Sequence, residues 1–466
     1  MCSSDLLFMR NACMCLVLLL SVASCTKAQD NPKATRLGSG NVATKTALLA
    51  TIADDDIPPP PPVSHSEKPD PQLQQASFQV IFSESGRGVA YLVQKGDKLS
   101  VVHNKNKGKE YSAAGTVVIS ADGRRIAYAA LANGKWCMVV DGKEGKGYGT
   151  LLTPVFSPDG RHIAYLAKEG DKWHLVVDNV PNAGTLASYT TPEFSSDSSK
   201  IVYIETAASS AEMKLIISDL MFHTQHIKKS VGDLLFILNK EKTHIVATQV
   251  VGKKLRVIDF SIDKPELVRE GTLYDLIERL SINDVGDTVA YCALKDGKRL
   301  IVMNDKEEAL PKGLLPELPI VRPDKKGLGL LLGSEKIIGL YQAFYSTPEQ
   351  VNKYDEAAGL VYSDDSSLYT YAARKGDVWF IVVNGKEGPA FDKVVAPQIS
   401  PDGKHVAYRA RKDGKRFVVI ADTFAKTIGT HPVYEQIFDV KFTGDGNSVA
   451  YGVKDGRQLI WKVVPL

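Results

Sequence analysis

The stretch Phe156-Ser-Pro-Asp-Gly-Arg-His-Ile-Ala-Tyr165 decides the fold, and Ile399-Ser-Pro-Asp-Gly-Lys-His-Val-Ala-Tyr408 repeats it. In both copies a turn signal, Ser-Pro-Asp-Gly, comes just before a short apolar run. A unit of this kind that recurs about every forty residues is typical of a β-propeller blade. The sequence therefore predicts an all-β protein built from repeated antiparallel blades.

We call the first residue of each turn signal the anchor. Nine steps cover the 360 residues from position 83 to position 443, so the mean step is 40 residues and ten units are predicted. Eight units also carry a Tyr at or just after the end of the motif. The anchors are Ser83, Ser120, Ser157, Ser195, Asn239, Asn283, Arg322, Ser363, Ser400 and Thr443.

Each unit continues with a Gly-containing turn and a run of β-branched and aromatic residues. For example, Lys168-Glu-Gly-Asp-Lys172 leads into Trp173-His-Leu-Val-Val177. A further turn, such as Asp141-Gly142, precedes a short polar strand. Turns of this type join antiparallel neighbours, so each unit is predicted to contain four strands.

The two ends of the array favour a closed ring over residues 72–466. The last unit ends after its third strand, and Gln72-Leu-Gln-Gln75 lies where a fourth strand is expected, so we expect this segment to complete the last blade. Closure of this kind removes an exposed sheet edge. Because propellers typically have four to eight blades, two smaller rings are the alternative to a single ring of ten.

The chain ahead of the array has two parts. Residues 1–24 contain an apolar run of signal-peptide length, and Val22-Ala23-Ser24-Cys25 resembles the bacterial lipobox, in which the Cys is lipidated. We therefore expect a lipid anchor on Cys25 and a location in the cell envelope, facing the periplasm or the cell surface. Residues 25–71, with five consecutive prolines from Pro58, are expected to form a tether.

The charge and the cysteine content limit what kind of protein this is. The formal charge is +3 with 24% charged residues, which gives no basis for nucleic-acid binding. Of six cysteines, only Cys137 and Cys292 lie in the array, in units far apart, and both are expected to be buried free thiols.

No catalytic or cofactor-binding motif is present. The sequence lacks Gly-x-Ser-x-Gly, His-Glu-x-x-His, the phosphate-binding Gly-x-x-x-x-Gly-Lys and Cys-x-x-Cys, so we predict no catalytic residue, no metal and no cofactor. His223 and His226 form the closest pair of histidines. Residues three apart in a strand face opposite sides, so a shared metal would need a loop and a further ligand.

Seven units carry an Asp two residues after the anchor, at Asp122, Asp159, Asp197, Asp324, Asp365, Asp402 and Asp445. Together they could form an acidic rim, but an Asp before Gly in a tight turn usually accepts hydrogen bonds from the backbone. We therefore expect a structural role for these carboxylates. Trp136, Trp173 and Trp379 share one position on the third strand, which predicts packing between blades.

A binding site breaks the symmetry of a repeat, whereas a core obeys it. The irregular segment Leu340-Tyr-Gln-Ala-Phe-Tyr-Ser-Thr-Pro348 therefore draws attention. Its aromatic residues Tyr341, Phe344 and Tyr345 are the candidates for an interaction surface.

The repeated motif resembles the blades of TolB and of the propellers in prolyl-oligopeptidase-type enzymes, over essentially residues 72–466. The resemblance implies the fold. Neither the α/β domain of TolB nor a peptidase domain has a counterpart that we recognise, and no family catalytic residue matches a position here.

Two functional hypotheses follow. The first is a non-catalytic, lipid-anchored propeller that binds an envelope protein or peptide. The second is a glycan-binding or small-molecule-binding propeller, or an enzyme, with its site at the central opening. The second hypothesis predicts that polar residues from several blades converge near the axis.

Overall fold

The computed structural model describes residues 44–59, 79–182, 191–206, 212–223, 225–231, 235–334, 338–344 and 350–466. All regular elements in these ranges are strands, and every strand pair is antiparallel. No helix in this part of the chain has the length and apolar character needed to cross a membrane.

The first strand, β1 (Lys45–Thr51), belongs to the last blade, and the other strands follow in ten consecutive sheets. The sheets of blades 1 to 5 contain, in order, β2 (Val80–Phe82), β3 (Val89–Lys95), β4 (Lys98–His103) and β5 (Asn106–Lys107); β6 (Val118–Ile119), β7 (Ile126–Ala132), β8 (Lys135–Val140) and β9 (Lys143–Tyr148); β10 (Thr150–Leu151), β11 (Val155–Phe156), β12 (Ile163–Glu169), β13 (Lys172–Val177) and β14 (Val180–Pro181); β15 (Glu193–Phe194), β16 (Lys200–Thr206), β17 (Glu212–Asp219) and β18 (Gln225–Val231); β19 (Phe236–Leu238), β20 (His244–Val251), β21 (Lys254–Ser261) and β22 (Arg269–Glu270).

Blades 6 to 10 repeat the arrangement. They contain, in order, β23 (Leu276–Ile282), β24 (Val289–Lys295), β25 (Lys298–Met303) and β26 (Lys306–Ala309); β27 (Leu315–Pro316), β28 (Ile320–Val321), β29 (Leu328–Gly333), β30 (Ile338–Ala343) and β31 (Gln350–Tyr354); β32 (Glu356–Tyr362), β33 (Tyr369–Lys375), β34 (Val378–Val383) and β35 (Lys386–Glu387); β36 (Lys393–Ile399), β37 (His405–Lys412), β38 (Lys415–Asp422) and β39 (Thr427–Thr430); β40 (Gln436–Ile437), β41 (Lys441–Phe442), β42 (Ser448–Asp455) and β43 (Gln458–Pro465).

The anchor turn joins the first and second strands of each blade, and Ser157 shows how it is built. The Ser157 Oγ donates to Asp159 Oδ1 (2.5 Å) and accepts from the His162 N–H (2.9 Å). The same Asp159 oxygen accepts from the Arg161 N–H at 3.0 Å. Because these bonds satisfy groups inside a tight turn, the turn signal recurs wherever a blade begins.

The turn between the third and fourth strands also follows the sequence. Asp141 and Gly142 have φ of 51° and 81°, the left-handed values that a two-residue hairpin turn requires. Asp141 Oδ1 in addition accepts from the Ile126 N–H at 3.0 Å. Gly and Asp at these positions are therefore explained by backbone conformation and local hydrogen bonding.

Ten hydrophobic clusters hold the blades together, one for each pair of neighbours around the ring. Nine of them join consecutive blades, and the tenth joins blade 10 to blade 1. In the tenth, Ile52 and Leu459 pack with Val80, Val89 and Tyr91. Ten interfaces between ten blades define a single closed ring, so the prediction of one ring is confirmed and the two-ring alternative is excluded.

The N-terminal side of the chain closes the ring, but at a different segment from the one predicted. β1 pairs with β43 from Lys45↔Val463 to Thr51↔Gln458, and it forms the outermost strand of blade 10. Gln72–Gln75 lies outside the described residues. Residues 45–51, which the sequence assigned to the tether, therefore belong to the propeller, because pairing with β43 supplies the hydrogen bonds that a tether would leave to water.

Several side chains occupy the positions that the repeat predicted. The eight Tyr side chains of the second strands are buried, as are Trp173 and Trp379, which contribute to clusters between blades. Trp136 is half-buried on β8. Cys137 and Cys292 are buried free thiols, as predicted.

Candidate functional site

The first strands of the blades form the inner wall of the ring. First strands of neighbouring blades, such as β2 and β6 or β19 and β23, approach within 8 Å between Cα atoms. Ten such strands surround the axis, so the axial opening is wider than that of a propeller with four to eight blades. We call the residues of this inner surface the axial wall.

One position of the repeat is open to solvent in every blade. The residue four before the anchor is exposed in nine blades and, as Arg279, partly exposed in blade 6, whereas the residue after it is buried in most blades. The chemistry at this position changes from blade to blade. In blade order the residues are Gln79, Thr116, Thr153, Thr191, Leu235, Arg279, Leu318, Gly359, Ala396 and Asp439.

The acidic residues of the anchor turns are engaged within their own turns. The anchor hydroxyls of Ser120, Ser363 and Ser400 donate to Asp122, Asp365 and Asp402 at 2.6 to 2.7 Å. The hydrogen bond from Ser363 is the main reason that the pKa of Asp365 falls to about 2, and the backbone and side chain of Ser367 add to the effect. The structural role expected for these carboxylates agrees with this geometry.

Metal ligands do not converge in the part of the chain that the structure describes. No group of three or more His, Cys, Asp or Glu side chains there could hold an ion. His223 is exposed, and its N–H donates to Asp219 Oδ1 at 2.9 Å, within a turn. The side chain of His226 lies outside the described residues.

Two of the three residues proposed from sequence as an interaction surface are engaged in the interface between blades 6 and 7. Tyr341 is 8% exposed within the cluster between blades 6 and 7, and its hydroxyl donates to Glu308 Oε1 at 2.6 Å. Phe344 packs partly against the same cluster, and its N–H donates to Glu308 Oε2 at 2.7 Å. Glu308 therefore ties the two residues into the blade interface. Tyr345 and Cys25 lie outside the described residues.

Among the charged contacts near the axial wall that sequence reasoning missed, one joins blades 9 and 10. Arg409, on the second strand of blade 9, lies 3.6 Å from the Asp439 carboxylate of blade 10 and donates to the Ile437 carbonyl at 3.1 Å. Burial lowers the pKa of the Arg409 guanidinium, and its Nε has no partner in the structure. The sequence contained one sign of this contact. Arg409 occupies a position at which the aligned strands of blades 1, 2 and 6 carry Leu92, Ala129 and Cys292.

One small cleft opens near the wall between blades 3 and 4. Leu152, Thr153, Leu166, Thr191 and Pro192 line it, and its volume is about 200 Å³. Pockets for small ligands usually measure about 300 to 1,000 Å³. The cleft is therefore small for a metabolite or a sugar chain.

This protein is thus a ten-bladed β-propeller with a wide axial opening. No protein-family model matches the chain, and no curated protein sequence matches it. Solved structures are similar to it at low identity, and the assignment to the propeller fold rests on the blades described above.

Three of these solved structures illustrate the range of identity, coverage and TM-score. A structure described as the eukaryotic initiation factor has 12% identity and a TM-score of 0.45, over 74% of this chain and 96% of that one. TolB from Acinetobacter baumannii has 13% identity and a TM-score of 0.28, over 65% and 76%. The β-propeller domain of the Trilobed protease from Pyrococcus furiosus has 11% identity and a TM-score of 0.34, over 60% and 94%. The propeller fold that the sequence resemblance implied is confirmed by the ten blades themselves.

Proposed function

We propose that this protein is a non-catalytic, lipid-anchored propeller of the bacterial cell envelope that binds a protein or peptide partner at its axial wall. The observation that carries the proposal is the size and variety of that wall. A ring of ten blades has a wider opening than a ring of four to eight, so a small molecule would contact only a few neighbouring blades. A polypeptide can contact several unlike blades in succession, because each supplies a different side chain.

The position of β1 defines how an anchored ring would be held. Because β1 begins at Lys45, only residues 26–44 separate it from a lipidated Cys25. A flexible tether of nineteen residues, as expected from the sequence, would have a root-mean-square span of roughly 25 Å. The outer edge of blade 10 is therefore held within a few nanometres of the membrane, and the axial wall stays accessible to partners in the same compartment.

Site-specific photo-crosslinking in intact cells tests the binding role. A photoreactive amino acid at Leu318 reports on the axial wall, and the same residue at Leu267, which is 67% exposed outside the first strands, is the matched control. We expect a defined protein adduct from position 318 and none from position 267. Adducts from position 267 alone, or turnover of a small substrate by the purified ring, would contradict the proposal.

The anchor is tested separately. Metabolic labelling with a radioactive fatty acid should mark the wild-type protein and leave Cys25→Ser unlabelled. The wild type should sediment with membranes. An unlabelled wild type would refute the lipid anchor and leave the binding role of the wall open.

A further inference from the structure

Three adjacent blades depart from the rest at the exposed wall position. Blades 5, 6 and 7 present Leu235, Arg279 and Leu318 there, whereas the other seven blades present Gln, Thr, Gly, Ala or Asp. A departure shared by three neighbours is the pattern expected of a binding site, because packing requirements repeat from blade to blade. We call these three residues, together with Leu315, the axial patch.

The leucines of the axial patch are unusually accessible for apolar side chains. Leu235 is 42% exposed, Leu318 is 47% exposed and Leu315 is 63% exposed. Leu315 pairs with Gly333 near the end of the first strand of blade 7, just before the strand that carries Ile320. Grouped exposed apolar residues on a folded surface often mark a contact site.

Arg279 adopts a backbone conformation that disfavours its side chain. Its φ is 61°, at a bulge between Glu278 and Ser281. The equivalent residues of blades 8 and 9 also have positive φ, but they are Gly359 and Ala396. The positive φ therefore belongs to a bulge that the three blades share, and among them only blade 6 places a long, strained side chain on it.

The Arg279 guanidinium also has no counter-ion among the described residues. The nearby carboxylate of Glu278 pairs with Arg299, and the Glu193 carboxylate on the first strand of blade 4 pairs with Lys242. No hydrogen bond or ion pair joins Arg279 to another residue that the structure describes. An anionic group from outside would therefore gain a strong, charge-assisted contact here.

We propose that the axial patch binds an extended segment of a partner protein that carries an acidic residue between two apolar residues. This inference rests on the proposed function and names the chemistry of the partner. The first strands of blades 5, 6 and 7 are neighbours, so Leu235 and Leu318 lie two blades apart with Arg279 between them. Alternate side chains of an extended strand lie on one face, so residues i and i+4 are about 13 Å apart and the acidic residue at i+2 meets Arg279.

Fluorescence anisotropy with defined peptides tests the proposal on the full ring. The probe is fluorescein-labelled Gly-Leu-Ser-Glu-Ser-Leu-Gly amide, with comparison peptides in which Lys replaces Glu or Ser replaces both Leu. We expect the Glu peptide to bind at least about tenfold more tightly than either comparison peptide, since each of those lacks either the charge-assisted hydrogen bond to Arg279 or the apolar contacts with the leucines.

Two variants distinguish binding at the axial patch from nonspecific attraction of the peptide to positive charges on the ring. Arg279→Gly should weaken the Glu peptide about tenfold while the ring stays folded, because Gly accepts the positive φ. Lys253→Ala removes an exposed cation from the second hairpin of blade 5, away from the first strands, and should change binding less than twofold. Equal losses in both variants, or no binding of the Glu peptide to the wild type, would overturn the proposal.

Other results identify other ligands and would also overturn it. If acetate or inorganic phosphate displaces the probe and the Leu-to-Ser peptide binds as well as the Leu peptide, the patch is a small-anion site. If photo-crosslinking from other wall positions, such as Thr153, still captures a partner, the proposed function stands while the patch assignment fails.

Discussion

The closing strand β1 should stabilise the ring through one buried side chain next to it. Ile52 is 1% exposed and packs at the seam with Val80, Tyr91 and Leu459. Its N–H donates to the Arg457 carbonyl at 2.8 Å, so the backbone is fixed at the same point. Ile52→Ala would remove the buried part of the side chain and leave a cavity between blades 10 and 1.

The size of the effect follows from the burial. Truncating a fully buried Ile to Ala usually costs about 2 to 5 kcal/mol, and we expect about 3 kcal/mol here. Leu48 is the matched control because it lies in β1 but is 50% exposed. Leu48→Ala should cost less than about 0.5 kcal/mol, as exposed substitutions usually do.

Urea unfolding followed by tryptophan fluorescence measures both variants. Trp461 lies at the seam, with its ring centroid 6.0 Å from that of Phe82, so it reports on closure. With a slope of about 3 kcal/mol per molar urea, Ile52→Ala should lower the midpoint by about 1 M. Equal midpoints for Ile52→Ala and Leu48→Ala would refute the assignment of the seam.

Three further predictions concern single residues. The folded pKa of Asp365 is about 2, below the ordinary value of 3.8, so its ionised form stabilises the ring above about pH 4. The difference in free energy of unfolding between the wild type and Asp365→Ala, measured by urea titration, should therefore shrink as the pH falls to about 2. A difference that stays constant would contradict this. Burial raises the pKa of the Cys292 thiol to about 12, and burial also raises the pKa of Cys137, so a thiol reagent at pH 8 should label both only after unfolding; rapid labelling of the native ring would contradict their placement. Arg279→Gly should raise the free energy of unfolding by about 1 kcal/mol, because glycine relieves the left-handed strain, and a destabilised variant would mean that Arg279 makes a structural contact.

The repeat made most of the fold predictable. The anchor turns, the hairpins and the buried Tyr of the second strands each follow from local chemistry, since a Ser-Pro-Asp-Gly turn has the same hydrogen bonds in whichever blade it occurs. The local structure around residues such as Ser157 and Asp159 can therefore be predicted directly from the sequence.

The closing strand was harder to place. No anchor turn directly follows the segment Lys45–Thr51 in the sequence. Its register is set by pairing with β43, more than 400 residues away in the chain. Spacing from the anchor at Ser83 instead indicated Gln72–Gln75. Pairing between distant segments is a tertiary effect that local spacing cannot reveal.

The candidate site was the least predictable part. Tyr341 stood out because its segment departs from the repeat, yet Glu308 on the neighbouring blade draws its hydroxyl into the interface. Arg279 attracted no attention, because its importance depends on a positive φ and on its place in the first strand of blade 6. Comparing the residue four before each anchor would have found the Leu, Arg and Leu of blades 5 to 7.

Electron cryomicroscopy of the purified protein tests the central claim most directly. We predict a single ring of ten blades around an open axis, with density for Lys45–Thr51 as the outermost strand of the last blade. Two smaller rings, an open arc, or a last blade whose outer strand comes from another segment would contradict this account of the fold and of the axial wall built on it.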